Sequence, residues 1–427
     1  MGSKYVQHSC DPLQAVSRRG FLAGAAAWAA VPKVPVLAQQ PIESPLPALA
    51  RGSIVAYIGT YTPNGQGIYL YSVNPSNGAL TLLKVFLANN PSWIALDPQK
   101  KYLYAANEIS DFRGTPNGAV SAYAVNPSNG DLRFLNMVSS RGSGPAHLSV
   151  DPSGRYVLVA NYGGGNVAVL PIVQSGPNKG FLGDATDVKQ DANTCTPAPC
   201  PVGPTRAQNA PPGSFAISGH DAPHAHMIQT DPSGRFAIAN DLGLDLTIIW
   251  KFNNQTGKLS DPNTVPSSPG AGPRHFAFHP NGRWFYSLNE EASTITFMIW
   301  NGNNGTLNPV QEISTLPVAF KGTNFTSEIV VSNNGRFVYA ANRLHDTIAV
   351  FSIDGTGGLT REGERWTRGD YPRNFNFEPN GNFMYVCNHR GDSVTTFRVD
   401  PGSGNVTFTG QYTAVGSPAC IIFLTTT

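Results

Sequence analysis

Aligned on a repeated turn glycine, this chain puts histidine, arginine and glutamate at matching positions of successive repeats. His226, Arg274 and Glu290 are the sharpest set. An imidazole or a carboxylate can take a proton from water and return it to a leaving oxygen. A guanidinium can hold a developing oxyanion or a substrate carboxylate through its planar fork. Which of Glu290 and His226 is base and which acid stays open at this point. Arg343 and Arg373 are candidates for binding an acidic substituent, and Glu328 is a candidate substrate contact. His147, His224 and His275 are further candidate substrate contacts, with a hydrogen-bonded structural histidine as the alternative for each. Glu108, His345 and His389 are read as surface or structural polar groups.

Six near-copies of one motif carry these residues. They are PSWIALDPQKKYLYAAN from Pro91, PAHLSVDPSGRYVLVAN from Pro145, PHAHMIQTDPSGRFAIAND from Pro223, PRHFAFHPNGRWFYSLN from Pro273, TSEIVVSNNGRFVYAAN from Thr326 and PRNFNFEPNGNFMYVCN from Pro372. Each reads as a short apolar strand, a turn, a second apolar strand and a closing Asn or Asp. Two more alternating stretches follow, joined by NPSNG-type turns, so one unit is four antiparallel strands. Repeats at this spacing predict a propeller. The turn between third and fourth strands occurs seven times, at Gly78, Gly130, Gly180, Gly257, Gly305, Gly358 and Gly404. The turn between first and second strands occurs only six times. The first unit lacks its inner strand, and PACIIFL from Pro418 supplies one at the other end of the chain. The expectation is an all-β, seven-bladed propeller whose last blade is closed by both termini.

In that geometry the starts of inner strands and the ends of second strands share one face, and the DPSGR and NPSNG turns lie opposite. The inner strands begin Ser92-Trp93, Ala146-His147, His226-Met227, Arg274-His275, Ser327-Glu328 and Arg373-Asn374. The residues after the closing Asn or Asp are Glu108, Tyr162, Leu242, Glu290, Arg343 and His389. These irregular positions should converge on the channel mouth. The recurrent Asn107, Asn161, Asp241, Asn289, Asn342 and Asn388 read as turn caps.

Gly 44 and Pro 35 supply the turns, and only 13% of residues are charged. A formal charge of +2 without a basic cluster argues against a nucleic-acid partner. Ser17-Arg18-Arg19-Gly20-Phe21-Leu22 ahead of AGAAAWAA resembles a twin-arginine export signal, with Val36-Leu37-Ala38 as the cleavage site and Ala50 as an alternative. Residues 1–38 are therefore expected to engage the twin-arginine translocon and be removed, with 39–53 a linker and 54–427 the propeller. The expected location is periplasmic or secreted. No later stretch is apolar enough for stable membrane insertion, and a monomer is expected. Cys195 and Cys200, flanking TPAP in a long loop, suit a local disulfide in an oxidising compartment. Cys387 and Cys420 read as small core residues. No cysteine–histidine spacing matches a zinc site, and neither metal nor cofactor is expected.

The segments YIGTYT from Tyr57, PHAH from Pro223, NDLGLD from Asn240, GPRHFAFHPNGRWFYSLNEEAST from Gly272, SEIVVSNNGRFVYAANRLHD from Ser327 and YPRNFNFEPNG from Tyr371 resemble the seven-bladed β-propeller lactonase family. That family includes bacterial 6-phosphogluconolactonases and the fungal carboxymuconate-lactonising enzyme. The resemblance covers Ile54 to Leu424 and implies a small-molecule lactone as substrate. It also implies active-site roles for His226, Arg274 and Glu290, with Arg343 and Arg373 both candidates for a second arginine. Three features depart from the pattern: Asn240-Asp241 stands where the family usually has Pro-Asp before Leu-Gly, the loop from Asp191 to Ala222 is long and rich in Pro and Ala, and the export signal sits awkwardly with a phosphorylated cytoplasmic substrate. Competing readings are a lactone-forming cycloisomerase of the carboxymuconate type and a non-catalytic secreted binding propeller.

Overall fold

Apolar residues at every second position, broken by Asn, Gly and Pro turns, fold each repeat into a four-stranded antiparallel sheet. The computed structural model describes residues 46–217 and 219–427, and these form seven such sheets. The export signal expected at 1–38 lies outside the described residues. The inner strands are Pro418–Thr425, Pro91–Leu96, Pro145–Val150, Ala225–Thr230, Pro273–Phe278, Thr326–Val331 and Pro372–Phe377. They define blades one to seven, and each contacts the next around a closed ring. Closure is a strand pairing: Pro418–Thr425 runs antiparallel to Ile54–Thr60, with Val55 opposite Leu424 and Ile58 opposite Ile421. Both ends of the described chain thus share blade one, and no blade presents an inner edge. The only helical segments described are two single 3₁₀ turns, Phe112–Gly114 and Asp191–Asn193. No helix among the described residues is long and apolar enough to cross a membrane.

The apolar core lies between blades. Tyr286, Leu288, Ile295 and Phe297 of blade five, for example, pack on Val338, Ala340, Ala349 and Phe351 of blade six. A repeated hydrogen bond registers one blade on the next. Three residues before each closing residue, Tyr57, Tyr104, Tyr286, Tyr339 and Tyr385 donate to the carbonyls of Gly130, Gly180, Gly357, Gly404 and Gly78, at 2.6–3.1 Å. The last of these joins blade seven to blade one. The NPSNG-type turns are therefore structural, and so are the DPSGR turns. The Asp151 carboxylate accepts the backbone N–H groups of Arg155 and Tyr156 at 2.8 and 2.7 Å, and Asp231 does the same for its own turn.

Blade three departs from expectation. Its outer strand is only Asp187–Gln190. Gly180 lies in an excursion from Ile172, bridged to Leu182, rather than in a tight hairpin between third and outer strands. The Cys195–Cys200 disulfide is formed in the following loop. Cys387 and Cys420 are buried free thiols in strands of blades seven and one.

Candidate functional site

Two repeated backbone features aim side chains at the channel mouth. The first is a β-bulge at the start of every inner strand. Opposite the second strand, pairing jumps from Pro91 to Trp93, Pro145 to His147, Ala225 to Met227, Pro273 to His275, Thr326 to Ile329 and Pro372 to Asn374, and blade one skips Ala419. The extra residue leaves the ladder and its side chain is re-aimed. Ser92, Ala146, His226, Arg274 and Arg373 occupy these positions. The second feature follows the closing residue, where Tyr61, Glu108, Tyr162, Leu242, Glu290, Arg343 and His389 each donate their backbone N–H to a carbonyl just ahead of the same blade's inner strand. The closing Asn and Asp side chains are all buried; Asn107, Asn161 and Asp241 cap backbone groups as expected, whereas Asn289 donates to the hydroxyls of Thr294 and Thr296. Asn107 Nδ2, for instance, donates to Asn89 O at 2.7 Å, and Asp241 accepts from the backbone of His224 and Leu244.

These two rows meet at a cavity of about 210 Å³ lined by Glu108, Ala146, Tyr162, His226, Glu290, Arg343 and Arg373. The Glu290 carboxylate is gripped by Arg274 Nε at 2.9 Å and Arg343 Nη2 at 2.6 Å. Arg343 also donates to the Tyr371 hydroxyl at 3.2 Å, and its guanidinium lies over the rings of Phe325 and Tyr371. Across the cavity Arg373 donates to the Tyr61 hydroxyl at 2.6 Å, and Tyr61 donates to Glu108 at 2.5 Å. Three guanidinium groups against the carboxylates of Glu108 and Glu290 leave the mouth positive, a setting that favours an anion or a developing oxyanion.

Burial, reinforced by Arg274, His275 and Arg373, holds the His226 imidazole well below the usual histidine range. It is neutral at pH 7, and its Nδ1 has no hydrogen-bond partner among the described residues. Burial and the neighbouring Arg343 and Arg373 lower Arg274 to about 10, still charged at neutral pH. Burial opposes the charge on Arg373, but Tyr61, Glu108 and Glu290 outweigh it and raise its pKa.

Several expected site residues lie elsewhere. Arg274 does not line the cavity; it sits behind Glu290, 2% exposed, with Nη1 bonded to the Ser327 carbonyl. His147, His275 and Glu328 lie one residue deeper on their inner strands and form a packed layer with Trp93. There His275 Nδ1 is 3.1 Å from Glu328, and Trp93 packs against both histidine rings. Glu328 also accepts from Asn374 at 2.5 Å, and burial raises it to about 7 despite Arg274. His224 stands behind Tyr162, rings stacked at 4.3 Å and Nδ1 2.9 Å from the Tyr162 carbonyl. Glu108, read from sequence as a surface or structural polar group, lines the cavity. It occupies the same repeat position as Glu290, and pairing with Tyr61 and Arg373 draws it inward. Tyr162 was placed at the mouth by its repeat position but not singled out as a site residue, and Tyr61 was missed; it follows the closing residue Thr60 of blade one, and that signal would have found it. His345 packs on Phe320 and Glu364, and His389 packs edge-on to Tyr61.

Larger cavities, of about 610 and 340 Å³, surround the deeper half of the inner strands and are walled mainly by apolar groups such as Phe278, Val150, Ile329 and Ile422. The smaller mouth cavity holds the convergent charges and is the better candidate for chemistry.

The sequence model of the family described as Lactonase, 7-bladed beta-propeller matches residues 55–423. The 6-phosphogluconolactonase of Bacillus subtilis is 31% identical over 373 residues, spanning 87% of this chain and 98% of the relative. That of Klebsiella pneumoniae is 29% identical over 323 residues, spanning 75% and 84%. Among solved structures, the periplasmic gluconolactonase of Pseudomonas aeruginosa superposes with a TM-score of 0.76 at 29% identity, covering 88% of this chain and 100% of that one. Matched along nearly its whole propeller by both sequence and fold, the chain belongs to the seven-bladed β-propeller lactonase family.

Proposed function

We propose that this protein hydrolyses a sugar-type lactone in the periplasm without a metal ion, with His226 as proton carrier and Arg343 and Arg373 as anion holders. The observation that carries the reading is the polar mouth cavity, where a neutral imidazole shares the lining with two guanidinium groups. His226 removes a proton from water as the water oxygen bonds to the lactone carbonyl carbon. Negative charge collects on the carbonyl oxygen, where the arginines stabilise it. Collapse breaks the bond to the ring oxygen, which takes the proton back from the imidazolium and becomes the hydroxyl of the free acid. An imidazole with a depressed pKa gives a strongly acidic imidazolium, suited to that second transfer. Glu290 holds Arg343 in place and offsets its charge, and Glu108 with Tyr61 does the same for Arg373.

The sugar class is supported by the names of the relatives. The periplasm is supported by the Ser17–Leu22 leader and by the Pseudomonas aeruginosa neighbour. The test is a pH-stat screen of the mature protein with gluconolactone and its 6-phosphate, with and without a chelator. Acid release above the spontaneous rate, unaffected by the chelator and lost in His226→Ala, is the expected result. No release with any lactone, or closure of a muconate-type acid instead, overturns it.

A further inference from the structure

The loop that leaves blade three at Gln190 returns to blade four over one wall of the cavity. Gly219 lies so close to the Tyr162 hydroxyl that a Cβ there would come within 2.5 Å. The stacked His224 carries the same contact to the start of the inner strand. Between them, the His220 side chain is fully buried among groups from two other connections. Its Nε2 is 3.1 Å from Asp245 Oδ1, and its Nδ1 is 3.3 Å from Glu291 Oε2. The first contact is a hydrogen bond and the second an ion-pair contact, and only the charged imidazolium attracts both carboxylates at once. Each carboxylate also binds backbone: Asp245 accepts from Gly270 and Gly272 at 2.6 and 2.8 Å, and Glu291 accepts from Gly219 at 3.2 Å. Glu291 directly follows Glu290, so the loop is tied to the backbone that presents the cavity carboxylate.

We propose that His220 is a positioning residue: its imidazolium pins the returning half of the 191–224 loop onto the connections bearing Asp245 and Glu290, which keeps Gly219 against Tyr162, and so sets substrate affinity. The proposal rests on the mouth cavity being the substrate site. The groups facing the imidazolium are Asp245 from the blade-four connection and Glu291, with Glu290 beside it, from blade five; Asp221 and His224 flank it on its own segment. At the outgoing end of the loop, Asp191 lies against Asp241, and burial raises both carboxyls. Burial opposes the His220 charge, but contacts with Asp245 and Glu291 raise its pKa to about 9. Being raised, it stabilises the docked loop at neutral pH and loses that effect as pH climbs through about 9.

The test compares wild type, His220→Gln, His220→Ala and Glu291→Gln. Chymotrypsin cleavage at Phe215, 72% exposed on the loop, is read at pH 7 and 9.5 and normalised to a peptide substrate. Expected are at least tenfold faster cleavage in the His220 variants at pH 7, a smaller gain in Glu291→Gln, and a rise toward the variant rate in wild type at pH 9.5. Because His220→Gln leaves Asp191 and Asp241 untouched, its loss of the pH response assigns that response to His220. With gluconolactone, KM should rise about tenfold with kcat within threefold. Wild-type cleavage rates in His220→Ala, or faster cleavage with KM unchanged, overturn the proposal. If no lactone is turned over, the proteolysis still decides whether the pin exists, so that failure is distinct from failure of the lactonase reading.

Discussion

At the scale of single residues, the mouth separates groups that can move a proton from groups that only hold charge. His226→Ala should lower kcat by about 10²- to 10⁴-fold, the usual range for a general acid–base group, with the thermal transition unchanged. Because the folded environment depresses the His226 pKa, the imidazole stays unprotonated as pH falls through 6.5. The pH–rate profile of kcat should therefore be flat from pH 8 to 6, and a limb near 6.5 would exclude His226 as the base in this environment. Arg373→Met removes a charge-assisted contact of about 1.5–3 kcal/mol. It should raise KM about 10- to 150-fold for a lactone bearing an acid group, and by much less for a neutral one. The three glutamates show how environment rather than residue type assigns function. Glu290 is clamped by two arginines, Glu108 is held by Tyr61 and Arg373, and Glu328 is buried beneath them against His275.

At the scale of elements, the blade carries its own registration device. Gly404 has φ +72°, and a Cβ there would meet the Phe337 ring of the preceding blade at 2.5 Å, while its carbonyl accepts from Tyr339 at 2.8 Å. Gly404→Ala should cost about 1–3 kcal/mol through backbone strain and overpacking. Tyr339→Phe, which leaves a buried carbonyl without its donor, should cost a similar amount. Urea unfolding of both variants checks this, and a double variant that loses no more than either single one would show that they act on the same interblade contact. The strands, turns and caps were legible because each depends on residues within a few positions. The bulge was not: extra residues look like any others in the motif until both strands are paired, although the bulge is what points His226 and Arg373 inward.

For the molecule as a whole, the ring closes only when Pro418–Thr425 joins Ile54–Thr60. Removing residues 418–427 would expose the inner edge of blade one and the apolar faces around Cys420, Ile421 and Leu424. The truncated chain is expected to lose its near-ultraviolet dichroism and to elute as aggregate in size-exclusion chromatography. A folded, active truncation would show that the inner strand of blade one is dispensable.

The sequence alone determined the seven-blade count, the shared end blade and the face on which the irregular polar positions gather. All three follow from local periodicity and turn chemistry along the chain. The Cys195–Cys200 disulfide, compatible with the sequence, was decided by the structure. Only the tertiary structure decided depth around the axis: that Arg274 backs Glu290 instead of meeting the cavity, that His147, His275 and Glu328 belong to a buried layer, and that Tyr61, Glu108 and Tyr162 belong to the wall. The reason is physical. A repeat fixes which way a side chain sets out, but its resting place depends on ion pairs and rings supplied by blades dozens or hundreds of residues away.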